Sequence, residues 1–473
     1  MLKTTYKFLK GFYPRTRCTR KISRLLGRGD LSAAAELATK TLKKYPASAV
    51  VIILYAKVCS AQENHDEVKN ALARISELRS APQELLFDAA LMLQKSGDDE
   101  LASRFLKHLD EDRRFWRASK ALGFQAYNAE DFNEAIEFFA RSVAWGGEAS
   151  WGAVIPAIKK SSFEAAEAAR KWLVEFNYTG RYPEFYFKML SIFDQKLDDF
   201  ESSKLNIRKA KAVFLKASVP ALLQNGKEPP LPPRFLIIGA MKCGTTTLHQ
   251  LIAKHPMFVA PIDKEIQFFQ FPWLQDSWYL DHFPCLDPSS GYFSGDASPG
   301  YYAFDIVERI ENLAPDIKLL FIQRDPTDRA ISHIRHNNRV GLSSAGVEVA
   351  IRNIDQLEKI ICDHPESAEK TLLEMIKTRS NCNMYLILGL YEILLRRWRR
   401  RFGSKQLKVV NLDELDASPN DVMRDIFEFL GVETVPVTMI RENSGNYIRT
   451  DETTIRVKTR LKEFYERVKA SMT

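Results

Sequence analysis

The sequence predicts two architectures in one chain. The N-terminal half reads as an all-α domain of helical repeats, and the C-terminal half as an α/β domain with a phosphate-loop (P-loop) type of parallel sheet flanked by helices. Three observations carry this. Over residues 20–215 apolar residues recur at helical spacing between polar breaks set at a nearly fixed interval. Four prolines within residues 229–233 stop that pattern. Directly after them, an apolar run of strand length opens into a turn bounded by glycines. At 473 residues and 45% hydrophobic content the chain also exceeds what one core usually serves.

Residues 1–26 form a basic leader with eight basic residues (Lys3 to Arg24) and no acidic one. Residues 1–229 hold 37 Lys and Arg against 28 Asp and Glu, while residues 230–473 hold 31 against 32. The net charge of +8 is therefore local to the leader, and nucleic acid is not an expected partner. The leader itself reads as a solvated tail or first helix, or as a contact for an acidic membrane surface or partner. No apolar run is long enough for a signal-peptide core or a transmembrane segment, so a soluble, cytoplasmic protein is expected. Six scattered cysteines without a CxxC pair or metal spacing fit a reduced compartment and no metal site.

Residues 27–217 are the repeat region. The first residues after the polar steps are Leu31, Asp66, Asp99, Phe132, Phe163 and Phe200, at intervals of 35, 33, 33, 31 and 37. That is close to the ~34-residue tetratricopeptide period. Gly29-Asp30-Leu31-Ser32-Ala33-Ala34 and Glu130-Asp131-Phe132-Asn133-Glu134-Ala135 are its clearest copies, resembling the start of a repeat's second helix. Stacked helix pairs make a concave surface that commonly takes another chain, so a protein partner is an open expectation. A plain helical bundle is the alternative.

A proline-rich linker, 218–233, leads to the domain of 234–473. Phe235-Leu236-Ile237-Ile238-Gly239-Ala240 reads as a buried parallel strand, and Thr246 to Lys254 as the helix that follows. Between them, Met241-Lys242-Cys243-Gly244-Thr245 forms a turn that aims backbone N–H groups at one point, suited to a phosphate. In a nucleoside-triphosphatase loop Lys directly follows the second glycine. Here Thr245 follows Gly244 and the lysine, Lys242, stands inside the loop, which disfavours a P-loop kinase.

With His255-Pro256 and the run Pro261-Ile262-Asp263-Lys264-Glu265-Ile266-Gln267-Phe268-Phe269, this segment resembles the 5′-phosphosulfate-binding region of sulfotransferases, and among them the carbohydrate branch that includes the heparan sulfate enzymes. The resemblance implies that Lys242, Cys243, Gly244, Thr245, Thr246 and Thr247 line the phosphate of 3′-phosphoadenosine 5′-phosphosulfate (PAPS). Lys242 would also stabilise the leaving oxygen, and Glu265 would be the base. Against that role, Glu265 could merely pair with Lys264.

A second apolar strand, 318–322, ends in Gln323-Arg324-Asp325-Pro326, with Ser332 eight residues after Arg324. Pro326 suits the first position of a helix, and an arginine at a strand end suits a dianionic phosphate. This resembles the same family's 3′-phosphate motif, which assigns that contact to Arg324 and Ser332. His336 falls where N-sulfotransferases carry a histidine that assists proton transfer; an ordinary surface histidine is the alternative. Gly295-Asp296-Ala297-Ser298-Pro299-Gly300-Tyr301-Tyr302 and stretches up to Gly431 extend the likeness. Two departures stand out. The Golgi relatives carry a membrane anchor and a C-terminal disulfide, whereas this chain shows no anchor and no cysteine after Cys382, and their closing loop is matched only loosely by residues 443–449.

The resemblance implies a metal-free, PAPS-dependent sulfotransferase acting on a carbohydrate hydroxyl or amine, with a peptide tyrosine or a small alcohol as the alternative acceptors. A kinase and a non-enzymatic repeat scaffold with a degenerate nucleotide domain are the rivals. Residues 230–473 are expected to fold without the repeats.

Overall fold

The computed structural model describes residues 17–75, 82–111, 115–147, 150–176, 178, 182–218, 230–340, 346–378, 383–438 and 452–472. Most of the basic leader, residues 219–229 of the linker and the loop 443–449 lie outside the described residues.

Among the described residues twelve helices precede the linker: α1 (Arg17–Arg28), α2 (Leu31–Lys44), α3 (Ala49–Ala61), α4 (His65–Ala73), α5 (Gln83–Lys95), α6 (Asp99–Glu111), α7 (Trp116–Asn128), α8 (Phe132–Ala144), α9 (Trp151–Lys160), α10 (Phe163–Glu175), α11 (Pro183–Lys196) and α12 (Phe200–Ser218). They pack as successive pairs, α1 on α2, α3 on α4, α5 on α6, α7 on α8 and α11 on α12, while α9 and α10 both pack on α8.

The breaks in the sequence mark the starts of α2, α4, α6, α8, α10 and α12 for a physical reason. At every one, the side chain just before the helix accepts an N–H three residues on: Asp30, Asn64, Asp98, Asp131, Ser162 and Asp199, at 3.0–3.2 Å. Each satisfies an orphan donor of the first turn. In five of the six, the preceding turn passes through a left-handed residue: Gly29, Glu63, Gly97, Glu130 or Asp198. The polar steps are thus turn and cap together.

After the linker, four strands form one parallel sheet: β1 (Phe235–Gly239), β2 (Gly295–Asp296), β3 (Lys318–Gln323) and β4 (Leu407–Asn411), in the order β2-β1-β3-β4. Every residue of β1 is buried, which is why it reads as an unbroken apolar run. β1 feeds α13 (Thr245–Ala253), and β3 feeds α14 (Pro326–Val340). The helix after the phosphate turn begins at Thr245, one residue earlier than the sequence suggests, because left-handed Gly244 occupies its N-cap.

The apolar core does not divide at the linker. A first cluster, running from Leu42 to Phe138, fills the N-terminal repeats. The second includes Phe139, Ile155, Leu173 and Phe193 of the repeats together with Phe235, Leu320 and Leu461 of the sheet domain. Polar contacts cross the same seam: Trp278 Nε1 donates to Ser191 Oγ at 2.9 Å, Gln275 N–H to Gln195 Oε1 at 3.3 Å, and Lys211 lies 3.6 Å from Asp281. The expected independence of residues 230–473 therefore runs against a shared core. Among the described residues no helix is long and apolar enough to cross a membrane.

Candidate active site

In a parallel sheet the loops leaving the carboxyl ends of the strands meet on one edge, and here they meet around one space. The turn 240–244 leaves β1, residues 297–302 leave β2, Arg324 leaves β3, and Leu412 follows β4. The turn is pinned to β3 by Ala240 N–H, which donates to Ile322 O at 2.7 Å. Lys242 and Gly244 both take left-handed backbone conformations, with φ of 67° and 89°. A Cβ on Gly244 would stand 2.7 Å from Leu412 Cδ1, so the turn approaches the β4 loop as closely as only glycine permits. Thr245 then opens α13 with its first N–H groups facing the turn, a ready anion cradle.

Two arginines flank this cradle. Arg324 donates through Nη2 to Asp328 O at 2.8 Å, while its buried Nε has no hydrogen-bond partner among the described residues. An orphaned guanidinium donor beside an anion cradle fits a phosphate. Arg329, one turn into α14, is fully buried behind the loop. Its Nη2 donates to Tyr385 O, and its Nη1 meets His333 Nδ1 at 3.4 Å. Burial, then the charges of Arg329, Lys242 and His336, push the His333 pKa down to about 3, so its ring is neutral and accepts from Arg329. Lys242 and His336 thus both lie within electrostatic reach of one buried imidazole. Cys243 is buried and its Sγ lies 3.4 Å from Tyr391 Oη. Burial raises its thiol pKa, with Tyr391, Arg329 and Arg324 pulling the other way. Ser332 is half-buried on α14.

The structure links Thr246 to Glu265 through Lys264. Lys264 Nζ donates to Thr246 Oγ1 at 3.1 Å and to Glu265 Oε1 at 3.0 Å. The pairing weighed against a base role is therefore present, but in a chain that runs to the phosphate cradle, and Glu265 keeps 40% side-chain exposure. An anion in the cradle would compete for Lys264 and release Glu265.

Sequence reasoning left four supports of this chain without a role: Asp296, Ala297, Asp263 and Lys188. Asp296, fully buried at the end of β2, accepts from Ser298 Oγ at 2.9 Å, Tyr301 Oη at 3.1 Å and Ile266 N–H at 3.4 Å. Burial drives its pKa up to about 7. Ala297 N–H donates to Lys264 O at 2.9 Å, so the 264–266 backbone is buckled to the sheet. Asp263 and Lys188 hold it from the other side. Lys188 could have been suspected as a lone charge in the apolar run Tyr186-Phe187-Lys188-Met189-Leu190. Among the described residues no group of three or more His, Cys, Asp or Glu is placed to hold a metal ion.

Comparison with known proteins gives two family matches. A model described as Sulfotransferase domain matches residues 232–469, and one described as Tetratricopeptide repeat matches residues 25–83. The chain is similar to human bifunctional heparan sulfate N-deacetylase/N-sulfotransferase 2, 32% identical over 208 residues, or 42% of this chain. It is also similar to the mouse bifunctional heparan sulfate N-deacetylase/N-sulfotransferase 4, at 28% over 208 residues and 42% of this chain. In each case the match spans 22% of the relative's own length. A solved sulfotransferase from Alicyclobacillus acidocaldarius aligns over 51% of this chain and 96% of its own, with a TM-score of 0.35 and 23% identity.

Proposed function

The chain belongs to the sulfotransferase domain family, and from that membership we propose that it transfers a sulfuryl group from PAPS to a hydroxyl or amine of a carbohydrate. The observation that carries the proposal is the pairing of a helix-capped anion cradle after β1 with the orphaned Arg324 Nε after β3. Two phosphate sites on adjacent strands suit a donor with a phosphate at each end of its ribose. The heparan sulfate N-sulfotransferases named above support a sugar as acceptor.

In this reading the N–H groups of 243–247 and the hydroxyls of Thr245, Thr246 and Thr247 hold the 5′-phosphate, while Arg324 and Ser332 hold the 3′-phosphate. The donor supplies the activated sulfuryl group. As in phosphoryl transfer, the protein positions reactants in line and neutralises charge. Glu265 takes the proton of the attacking oxygen or nitrogen as the new bond to sulfur forms. Lys242 meets the charge left on the phosphate oxygen as its bond to sulfur breaks. His336, four residues after Ser332 and so on the same face of α14, is a second proton carrier. A kinase would place a lysine after Gly244, where Thr245 stands.

Two experiments test the proposal. 3′-Phosphoadenosine 5′-phosphate (PAP) should raise the melting temperature far more than ATP with magnesium, since binding to the folded state alone contributes ~2.7 kcal/mol at a hundredfold excess over Kd. An unchanged melting curve at millimolar PAP would overturn the donor assignment. Radiolabelled PAPS with de-N-sulfated heparan oligosaccharide should yield labelled glycan; label reaching only non-carbohydrate acceptors would overturn the acceptor class.

A further inference from the structure

Lys188 belongs to α11 of the repeats, yet its side chain is fully buried and ends 3.0 Å from Asp263 Oδ2 in the catalytic half. Its Nζ lies 4.5 Å from the ring centroid of Trp151 and 5.7 Å from that of Trp278, one ring from each half of the molecule. Burial pushes its pKa down, and Asp263 is the first influence opposing that shift. A buried ion pair of this kind is often no more stabilising than apolar side chains of the same volume. Holding the fold together does not by itself account for it.

The other oxygen of Asp263 points to a purpose. Oδ1 accepts the backbone N–H of Glu265 at 3.3 Å. Lys188 therefore fixes Asp263, and Asp263 fixes the peptide that carries Glu265. The repeats press on the same segment again at α9, where a Cβ on Gly152 would stand 2.8 Å from Gln267 Oε1. From the opposite side, Asp296 and Ala297 hold Ile266 N–H and Lys264 O. Residues 263–267 are clamped between the sheet and the repeats.

We infer that Lys188 is a positioning residue for Glu265, and that the repeat region supplies one jaw of the catalytic site. The inference rests on Glu265 being the base. Its role is to set the distance and direction from which that carboxylate meets the acceptor proton, a geometry in which a displacement of about 1 Å can lower the rate ~10²-fold.

The test is a double-mutant cycle on the full chain, with PAPS and de-N-sulfated heparan oligosaccharide as substrates and PAP affinity measured by calorimetry. Lys188→Met should lower kcat by ~10–10²-fold with PAP affinity unchanged. In a Glu265→Gln background it should lower kcat little further, because a group that acts only through Glu265 has nothing left to position. Lys188→Met/Asp263→Asn leaves no buried charge unpaired and should show the same kcat loss, so it carries the test if Lys188→Met alone does not fold. A folded Lys188 variant with kcat within about threefold of wild type, against a crippled Glu265→Gln, overturns this inference and leaves the base intact. Losses that multiply in the Glu265→Gln background, or that appear equally in PAP affinity, overturn it as well. Glu265→Gln turnover near wild type overturns both readings.

Discussion

Glu265 and Lys242 stand on different elements and can be told apart by different losses. Glu265→Gln keeps size and hydrogen bonding but removes the base, so turnover should fall by ~10²–10⁴ while PAP affinity holds. Lys242→Ala should weaken both together, since it removes a phosphate contact and the charge at the leaving oxygen. Turnover of Glu265→Gln within a few fold of wild type would reduce Glu265 to a partner of Lys264. Asp296 makes a separate prediction in pH. Its folded pKa, about 7, lies above the ~3.9 of an unfolded aspartate, so between these values the folded chain holds the extra proton. Stability from this group is complete below the unfolded value and is lost as pH rises through the folded one. The unfolding free energy of wild type minus that of Asp296→Asn should therefore fall by ~1.4 kcal/mol per pH unit between about pH 4 and pH 7. Urea titrations across that range measure it, and a flat difference would mean that Asp296 is ionised throughout.

At the scale of elements, the turn between β1 and α13 depends on one backbone conformation. Gly244→Ala would place a methyl group 2.7 Å from Leu412 Cδ1 on a residue with φ of 89°. A strain of ~1–3 kcal/mol is expected, and because it falls on the anion cradle PAP affinity should drop by ~10-fold or more. An unaltered affinity by calorimetry would separate the cradle from the donor site. The same elements show what could be read in advance. The phosphate turn, Arg324 and the helix starts at Leu31, Asp99 and Phe132 are legible because local backbone chemistry writes them: glycine, capping side chains, Pro326 at a first helical position. β2 is two residues long and offers no period to detect. The Lys188–Asp263 pair joins residues 75 apart, and nothing in either neighbourhood names the other. What sequence leaves out here is the tertiary support of the site.

For the whole molecule, the shared core bears on how the chain can be divided. A fragment of residues 230–473 would lose the Ser191 partner of Trp278, the Lys188 partner of Asp263 and the apolar cover from Phe193. It should be poorly soluble or melt well below the full chain, and hold PAP more weakly. A fragment that binds PAP with the Kd of the full chain would restore the independence expected from the linker. The tetratricopeptide match at 25–83 falls largely in the other core, so removal of the first repeats should leave the site intact.

The seam also matters for the order in which a ribosome delivers the chain. Lys188 is synthesised 75 residues before Asp263, a delay of roughly 4–15 s at ~5–20 residues per second. During that interval the nascent repeats hold the Lys188 amine against the Trp151 ring alone, with no Asp263 carboxylate and no Trp278 ring to complete its surroundings. The surface that will receive residues 263–285 stays bare. β4 emerges later still, so the parallel sheet cannot close until residue 411 has left the exit tunnel. Biosynthesis thus makes the later repeats wait, unfinished, for the half of the chain that they help to shape.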